Sequence, residues 1–156
     1  MEPVIIRRAT LNDLATLLSF EQQIIKAERP FDVTLQDGHI NYYDLAHMIT
    51  AANVEVMVAE FNNEIVGSGY ARIKDSEIYL KHRKHGYLGL MYVVPEHRRK
   101  GVNQKIIEAL KQWCAAQDVY ELRLEVYNDN LPAIKAYEKV GFAKLMIEMR
   151  LDSGKD

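Results

Sequence analysis

Arg98, Arg99 and Lys100 stand together in the stretch VVPEHRRKGVNQKII, and Gly101 follows them. Val93-Val94 reads as a strand and Gln104-Lys105-Ile106-Ile107 as a helix, so the cations lie where a helix begins. Such a place suits anion capture. A helix N-terminus offers unpaired N–H groups and a positive dipole end. Glycine lets the backbone turn sharply and a ligand come close, while arginine and lysine add charge complementary to phosphate. Strand, cationic glycine turn and helix together make a phosphate cradle. A solvated turn feeding an amphipathic helix is the competing explanation. The segment lacks the GxxxxGK[ST] spacing of a P-loop and the G-x-G-x-x-G of a dinucleotide fold.

Other reactive residue types carry weaker signals. The five histidines have no metal-ligand spacing, and no metal is expected. Cys114 is the only cysteine, so it forms no internal disulfide, and its apolar-rich helix favours packing over nucleophilic chemistry. KHRKHG (Lys81–Gly86) is a second basic run, read either as a solvated loop or as a lip that attracts acidic ligands. A net charge of −2 argues against a general nucleic-acid binder and makes the Arg98–Lys100 cluster a local feature. No apolar run is long enough for a membrane span and no signal-peptide core opens the chain, so a cytoplasmic protein is expected.

The 156 residues suit one domain, 1–156, able to bury a real core. Val4–Ala9 reads as a strand, and leucines and isoleucines at helical spacing carry a first helix to about Ala27. Arg29–Asp32 breaks it, and a shorter helix covers Tyr42–Ala51. Val54–Phe61 alternates, Asn62-Asn63 turns, and Glu64–Ile73 returns as a hairpin partner. Gly86–Val94 is another strand, followed by the cationic loop and a helix to about Gln117. Tyr120–Tyr127 alternates again, Asn128–Val140 is helical with Asn130 near its cap, and Phe142–Leu151 closes as a strand. The fold class is therefore α/β in the order β-α-α-β-β-β-α-β-α-β, a mixed sheet flanked by helices.

A second constellation, LEVYNDNLPAIKAYEKVGF, runs strand, asparagine, helix, tyrosine and Gly-Phe. Together with MYVVPEHRRKGV it resembles the GNAT superfamily of N-acetyltransferases. The family's phosphate motif, Q/R-x-x-G-x-G/A, is met by Arg98 and Gly101, and Asn103 departs from its last position. Asn130 and Tyr137, seven positions apart, match the spacing of the family's later motif. The resemblance implies the GNAT acyltransferase fold, mostly antiparallel, and transfer of acetyl from acetyl-CoA to a primary amine.

On that resemblance the pyrophosphate lies over Arg98, Arg99, Lys100, Gly101, Val102 and Asn103, and Gln104 is a further cofactor-binding residue. The pantetheine arm runs along Met91, Tyr92 and Val93, in the gap between that strand and the next, with Asn130 and Ala133 contributing from the later helix. Asn103 adds bulk to the cradle, and its amide is able to donate to a phosphate oxygen. Tyr137 is the implied acid for the departing thiolate, and the Val93 N–H the implied donor to the thioester oxygen. A thiol pKa of about 8.5 and a phenol pKa of about 10 make that proton transfer a small step.

The base is open. Many family members carry a glutamate on the strand before the phosphate loop, but YLGLMYV (Tyr87–Val93) has no acid, with Gly89 near the expected place. Glu125, twelve residues before Tyr137, resembles the base glutamate of the ribosomal-protein N-terminal acetyltransferases. It either serves as base or pairs with a cation and supports the sheet, and a water chain is a third route. Glu28, Asp32, Asp37 and Asp44, with Phe31, Tyr42 and Tyr43, form either an acceptor wall for a cationic amine or a polar connection. The acceptor is a small amine, a lysine or a peptide N-terminus. Many relatives are dimers, so a homodimer is an open partner. A CoA-binding sensor without catalysis, and an enzyme for longer acyl chains with Gly89 leaving room, are the alternatives.

Overall fold

A computed structural model describes residues 3–154. The chain divides into two compact units between Glu125 and Val126. The first holds a five-stranded sheet whose strands lie side by side in chain order. They are β1 (Ile5–Arg8), β2 (Val54–Phe61), β3 (Glu64–Asp75), β4 (Lys84–Val93) and β5 (Leu122–Arg123). Successive strands pair antiparallel up to β4, and β5 joins β4 in parallel. Three helices accompany them, α1 (Leu14–Glu28), α2 (Leu45–Thr50) and α3 (Val102–Ala115). The expected α/β class with a mixed sheet flanked by helices is what the chain adopts.

Alternation along the strands decides which helix lies on which face. Leu17 and Phe20 of α1 and Leu45, Met48 and Ile49 of α2 share one core with Val54, Val56, Val58, Tyr70 and Leu90. Each such fully buried aliphatic side chain contributes about 1.5–3 kcal/mol. On the other face α3 buries Val102, Ile106, Ile107, Leu110 and Cys114. A Cβ on Gly69 of β3 would lie 2.7 Å from Met91 Sδ and 2.8 Å from Ile106 Cγ2, so glycine there lets α3 settle close to the sheet. The Cys114 thiol is buried against Gly86 and burial pushes its pKa up to about 11, which fits packing rather than nucleophilic chemistry.

An ion cluster fastens the entry to α1. Arg7 donates from both Nη atoms to Asp13, at 2.9 and 3.0 Å, and from Nε to Glu60 at 2.6 Å. Asp13 also accepts from the Thr10 backbone N–H at 2.8 Å. The guanidinium holds the Asp13 carboxyl below the usual carboxylate range.

Two expected strands are corrected. The Tyr120–Tyr127 strand shrinks to Leu122–Arg123, because only Gly86 and Tyr87 of β4 pair with it. Phe142–Leu151 carries no strand, although its alternation favoured one. A strand exists by virtue of a ladder partner. In the second unit the only helix or strand among the described residues is α4 (Leu131–Lys139), so no second strand is described there to form a ladder with the segment. α4 itself starts three residues later than the expected helix, because the Asn130 Oδ1 caps it by accepting from the Ala133 N–H at 3.4 Å. Pro132 falls in the first turn, where a missing N–H costs little. The second helix is also shorter than expected, since Asp44 caps it through the His47 N–H at 3.2 Å. No helix among the described residues is long and apolar enough to cross a membrane.

Candidate active site

The site begins where β4 ends. A short 3-10 turn, Pro95–His97, leads from β4 into the cationic loop. Arg99 and Gly101 take positive φ values of 63° and 80°, which reverse the chain before α3. Gly101 is the N-cap of α3 and offers no side-chain cap. The N–H groups of Val102, Asn103 and Gln104 therefore open the helix without an intrahelical acceptor. Nothing lies within 4 Å of a Cβ built on Gly101, so the turn needs glycine for its backbone angle rather than for space. Arg98, Arg99 and Lys100 are exposed around this opening, and Asn103 is half-buried. Arg98 folds back. Its Nε donates to the Val93 carbonyl at 2.8 Å, and its guanidinium lies 5.5 Å from the Tyr92 ring centroid.

The edge of β4 carries the second element of the site. Pairing with β5 stops at Tyr87–Arg123, so Leu88–Val93 has no strand partner on that side among the described residues. The Val94 N–H donates to Val66 O of the β3 side at 2.9 Å. Backbone groups alternate direction along a strand, so the N–H of Val93, next to Val94, faces away from β3. Between Gly89 and Tyr92 the strand carries a bulge. Leu90 takes a φ of 53° there, and its carbonyl accepts from the buried Ser68 Oγ at 2.8 Å. Such bulges re-aim the chain beside functional sites.

Glu125 lies at the end of the first unit, where its Oε1 accepts from the Tyr87 hydroxyl at 2.9 Å. Among the described residues the partner seen for the Glu125 carboxylate is this phenol and not a cation. Burial, then Glu125, drives the Tyr87 phenol well above its ordinary pKa, so Tyr87 is a neutral donor to the carboxylate. Gly89 does not leave open space. A Cβ built on it would lie 2.6 Å from Cε2, Cζ and Oη of Tyr70, its cross-strand partner.

The Glu28–Asp44 segment is partly spent on local structure. Asp32 accepts from the Thr34 N–H and hydroxyl, at 3.0 and 2.5 Å, and Asp44 caps α2. Glu28 is half-buried beside Tyr42, and burial raises its carboxyl pKa. Glu21, missed in the sequence, is fully buried, and its Oε2 accepts from the N–H groups of Tyr42 and Tyr43 at 2.8 Å each. In the basic run, Lys84 pairs with Asp75 at 2.8 Å and His85 Nδ1 meets Ser76 Oγ at 2.9 Å, so two of its members serve the hairpin. No group of three or more His, Cys, Asp or Glu arranged for a metal occurs among the described residues.

In the second unit, Asn130 caps α4 and Tyr137 lies seven residues on, about two turns and 10.5 Å along the same side of the helix. Ala133, three residues past the cap, is half-buried, as is Tyr137, whose ring meets Phe142 at 5.9 Å. Tyr70, Tyr87 and Ser68 escaped the sequence reading. Gly89 was the available signal, since a strand glycine marks close approach of another group.

Comparison with known proteins bears on this geometry. The family described as "Acetyltransferase (GNAT) family" matches residues 15–142. An N-alpha-acetyltransferase of Saccharolobus solfataricus is 29% identical over 150 residues, covering 91% of this chain and 81% of the relative. One from Sulfurisphaera tokodaii is 30% identical over 150 residues with the same coverage. The fold is similar to that of a predicted acetyltransferase with acetyl-CoA from Clostridium acetobutylicum, with a TM-score of 0.67, 19% identity and 96% of each chain covered.

Proposed function

Since the chain belongs to the acetyltransferase (GNAT) family, we propose that it moves the acetyl group of acetyl-CoA to the free α-amine of a polypeptide. The observation that carries the reading is the uncapped start of α3, turned open by Gly101, at the end of a strand whose outer edge has no strand partner after Tyr87 among the described residues. A pyrophosphate fits the first and an amide-bearing arm fits the second. The two relatives named N-alpha-acetyltransferase, each matched over 91% of this chain, favour an α-amine over a lysine or a small amine.

The pyrophosphate takes the N–H groups of Val102, Asn103 and Gln104, with Arg99 and Lys100 as counter-charge. Arg98 acts by bracing Val93. The pantetheine arm then runs back along β4, taking the outward N–H of Val93 first. A strand advances about 3.3 Å per residue, so an arm with two amides spans several residues before its sulfur is reached. This favours the Met91 N–H, rather than that of Val93, as donor to the thioester oxygen.

The neutral amine attacks the thioester carbon, and the oxygen gains charge against the backbone donor. As the C–N bond forms, the amine proton passes to Glu125, whose carboxylate is oriented by the Tyr87 hydroxyl. The C–S bond then breaks, and the thiolate takes a proton from Tyr137, a role assigned from the Asn130–Tyr137 motif.

The test is free-thiol release from acetyl-CoA over a panel of unblocked peptides, ε-amines and small amines. Turnover confined to α-amines supports the reading. CoA binding without turnover on any amine replaces it with a sensor.

A further inference from the structure

Tyr70 is the least explained aromatic residue near the proposed track. It stands opposite Gly89 on the neighbouring strand, with its ring end over the glycine backbone. The residue is only 3% exposed and packs edge-on against Tyr43, ring centroids 5.4 Å apart. The Arg72 guanidinium lies 5.9 Å from the ring centroid on another side. The ring is thus held by packing and is not free to swing aside.

Its place on β3, opposite Gly89 of β4, bears on the acyl end of the carrier. Taken backwards from α3, the order is phosphate loop, Val93, Met91, the bulge at Leu90, then Gly89. A carrier that enters at the loop and runs along this edge points its acyl end toward Gly89. Residue 89 has no side chain to limit that end, and the Tyr70 phenol fills the space instead. A tyrosine that only compensates a strand glycine would stabilise the hairpin and nothing more.

We infer that Tyr70, seated over Gly89, is a specificity-determining residue that stops the acyl chain at about the length of acetyl. The inference rests on the acetyl-transfer reading above and adds to it a limit on the donor. It also accounts for Gly89 itself, because any side chain there would collide with the ring that sets the limit.

The experiment is a chain-length series read by thiol release, with acetyl-, propionyl-, butyryl- and hexanoyl-CoA and the best acceptor of the amine panel. Wild-type kcat/KM is expected to fall steeply beyond propionyl. Tyr70→Ala and Tyr70→Leu are expected to raise the butyryl-to-acetyl ratio about tenfold or more, the range set by a few methylenes in an apolar site. Tyr70→Phe keeps the ring and is expected to leave the ratio within about twofold. An unchanged ratio in a shortened variant that folds and binds CoA overturns the inference. Wild-type protein that uses hexanoyl-CoA as well as acetyl-CoA overturns it without any variant. If wild-type protein neither binds CoA nor releases thiol, the acetyl-transfer reading falls and this inference with it. Active wild-type protein with a flat series removes Tyr70 alone.

Discussion

The proposed mechanism gives the proton work to Tyr137 and Glu125, and each assignment makes a separable prediction. Tyr137→Phe removes the proposed donor to the thiolate while leaving the ring. Turnover is expected to fall about 10²–10⁴-fold with CoA affinity nearly unchanged, as stopped assays and calorimetry would reveal. Equal turnover in the two proteins would take Tyr137 out of the mechanism. For Glu125, the pH profile of kcat/KM is the informative measurement. Glu125→Gln is expected to flatten its ascending limb, and Tyr87→Phe, which deletes the 2.9 Å hydrogen bond, to lower the rate while keeping the limb. An ascending limb that survives Glu125→Gln would favour a water chain instead.

The elements matter because they hold weak groups at useful places. Gly101 sits at a φ of 80°, where an L-residue costs roughly 1–2 kcal/mol. Gly101→Ala is expected to weaken CoA binding by about tenfold, through a displaced cradle, while the sheet stays intact. Undiminished affinity would mean that the α3 start does not hold the phosphates. At the other end of the sheet, Asp13 owes its lowered pKa chiefly to the hydrogen bonds from Arg7, with burial opposing them. A carboxylate depressed in the folded state stabilises it above the ordinary range near pH 4, and that gain is lost as pH falls through the folded value. Asp13→Asn is therefore expected to cost roughly 2 kcal/mol at neutral pH and to narrow toward wild type in acid. Denaturation curves at several pH values would check this, and a constant difference at all pH values would exclude the linkage.

For the whole molecule, much was legible and some was not. The β2–β3 hairpin follows from alternation and the Asn62-Asn63 turn, both short-range signals. The cationic opening of α3 was equally local. What stayed hidden depends on long-range register. Tyr70 and Gly89 are nineteen residues apart, and only the pairing of β3 with β4 brings them together. The same holds for Tyr87 and Glu125, thirty-eight residues apart. The closing segment Phe142–Leu151 has the right alternation and still lacks a strand, since period-two patterning proposes a strand and only a neighbour completes it.

With a net charge of −2, the protein has no general attraction for polyanions, so captured negative charge must be captured locally. The decisive measurement is titration calorimetry of the folded wild-type protein with CoA at two salt concentrations. The account predicts saturable binding that weakens modestly as salt rises and weakens further in Gly101→Ala. No heat and no saturation at millimolar CoA would contradict it.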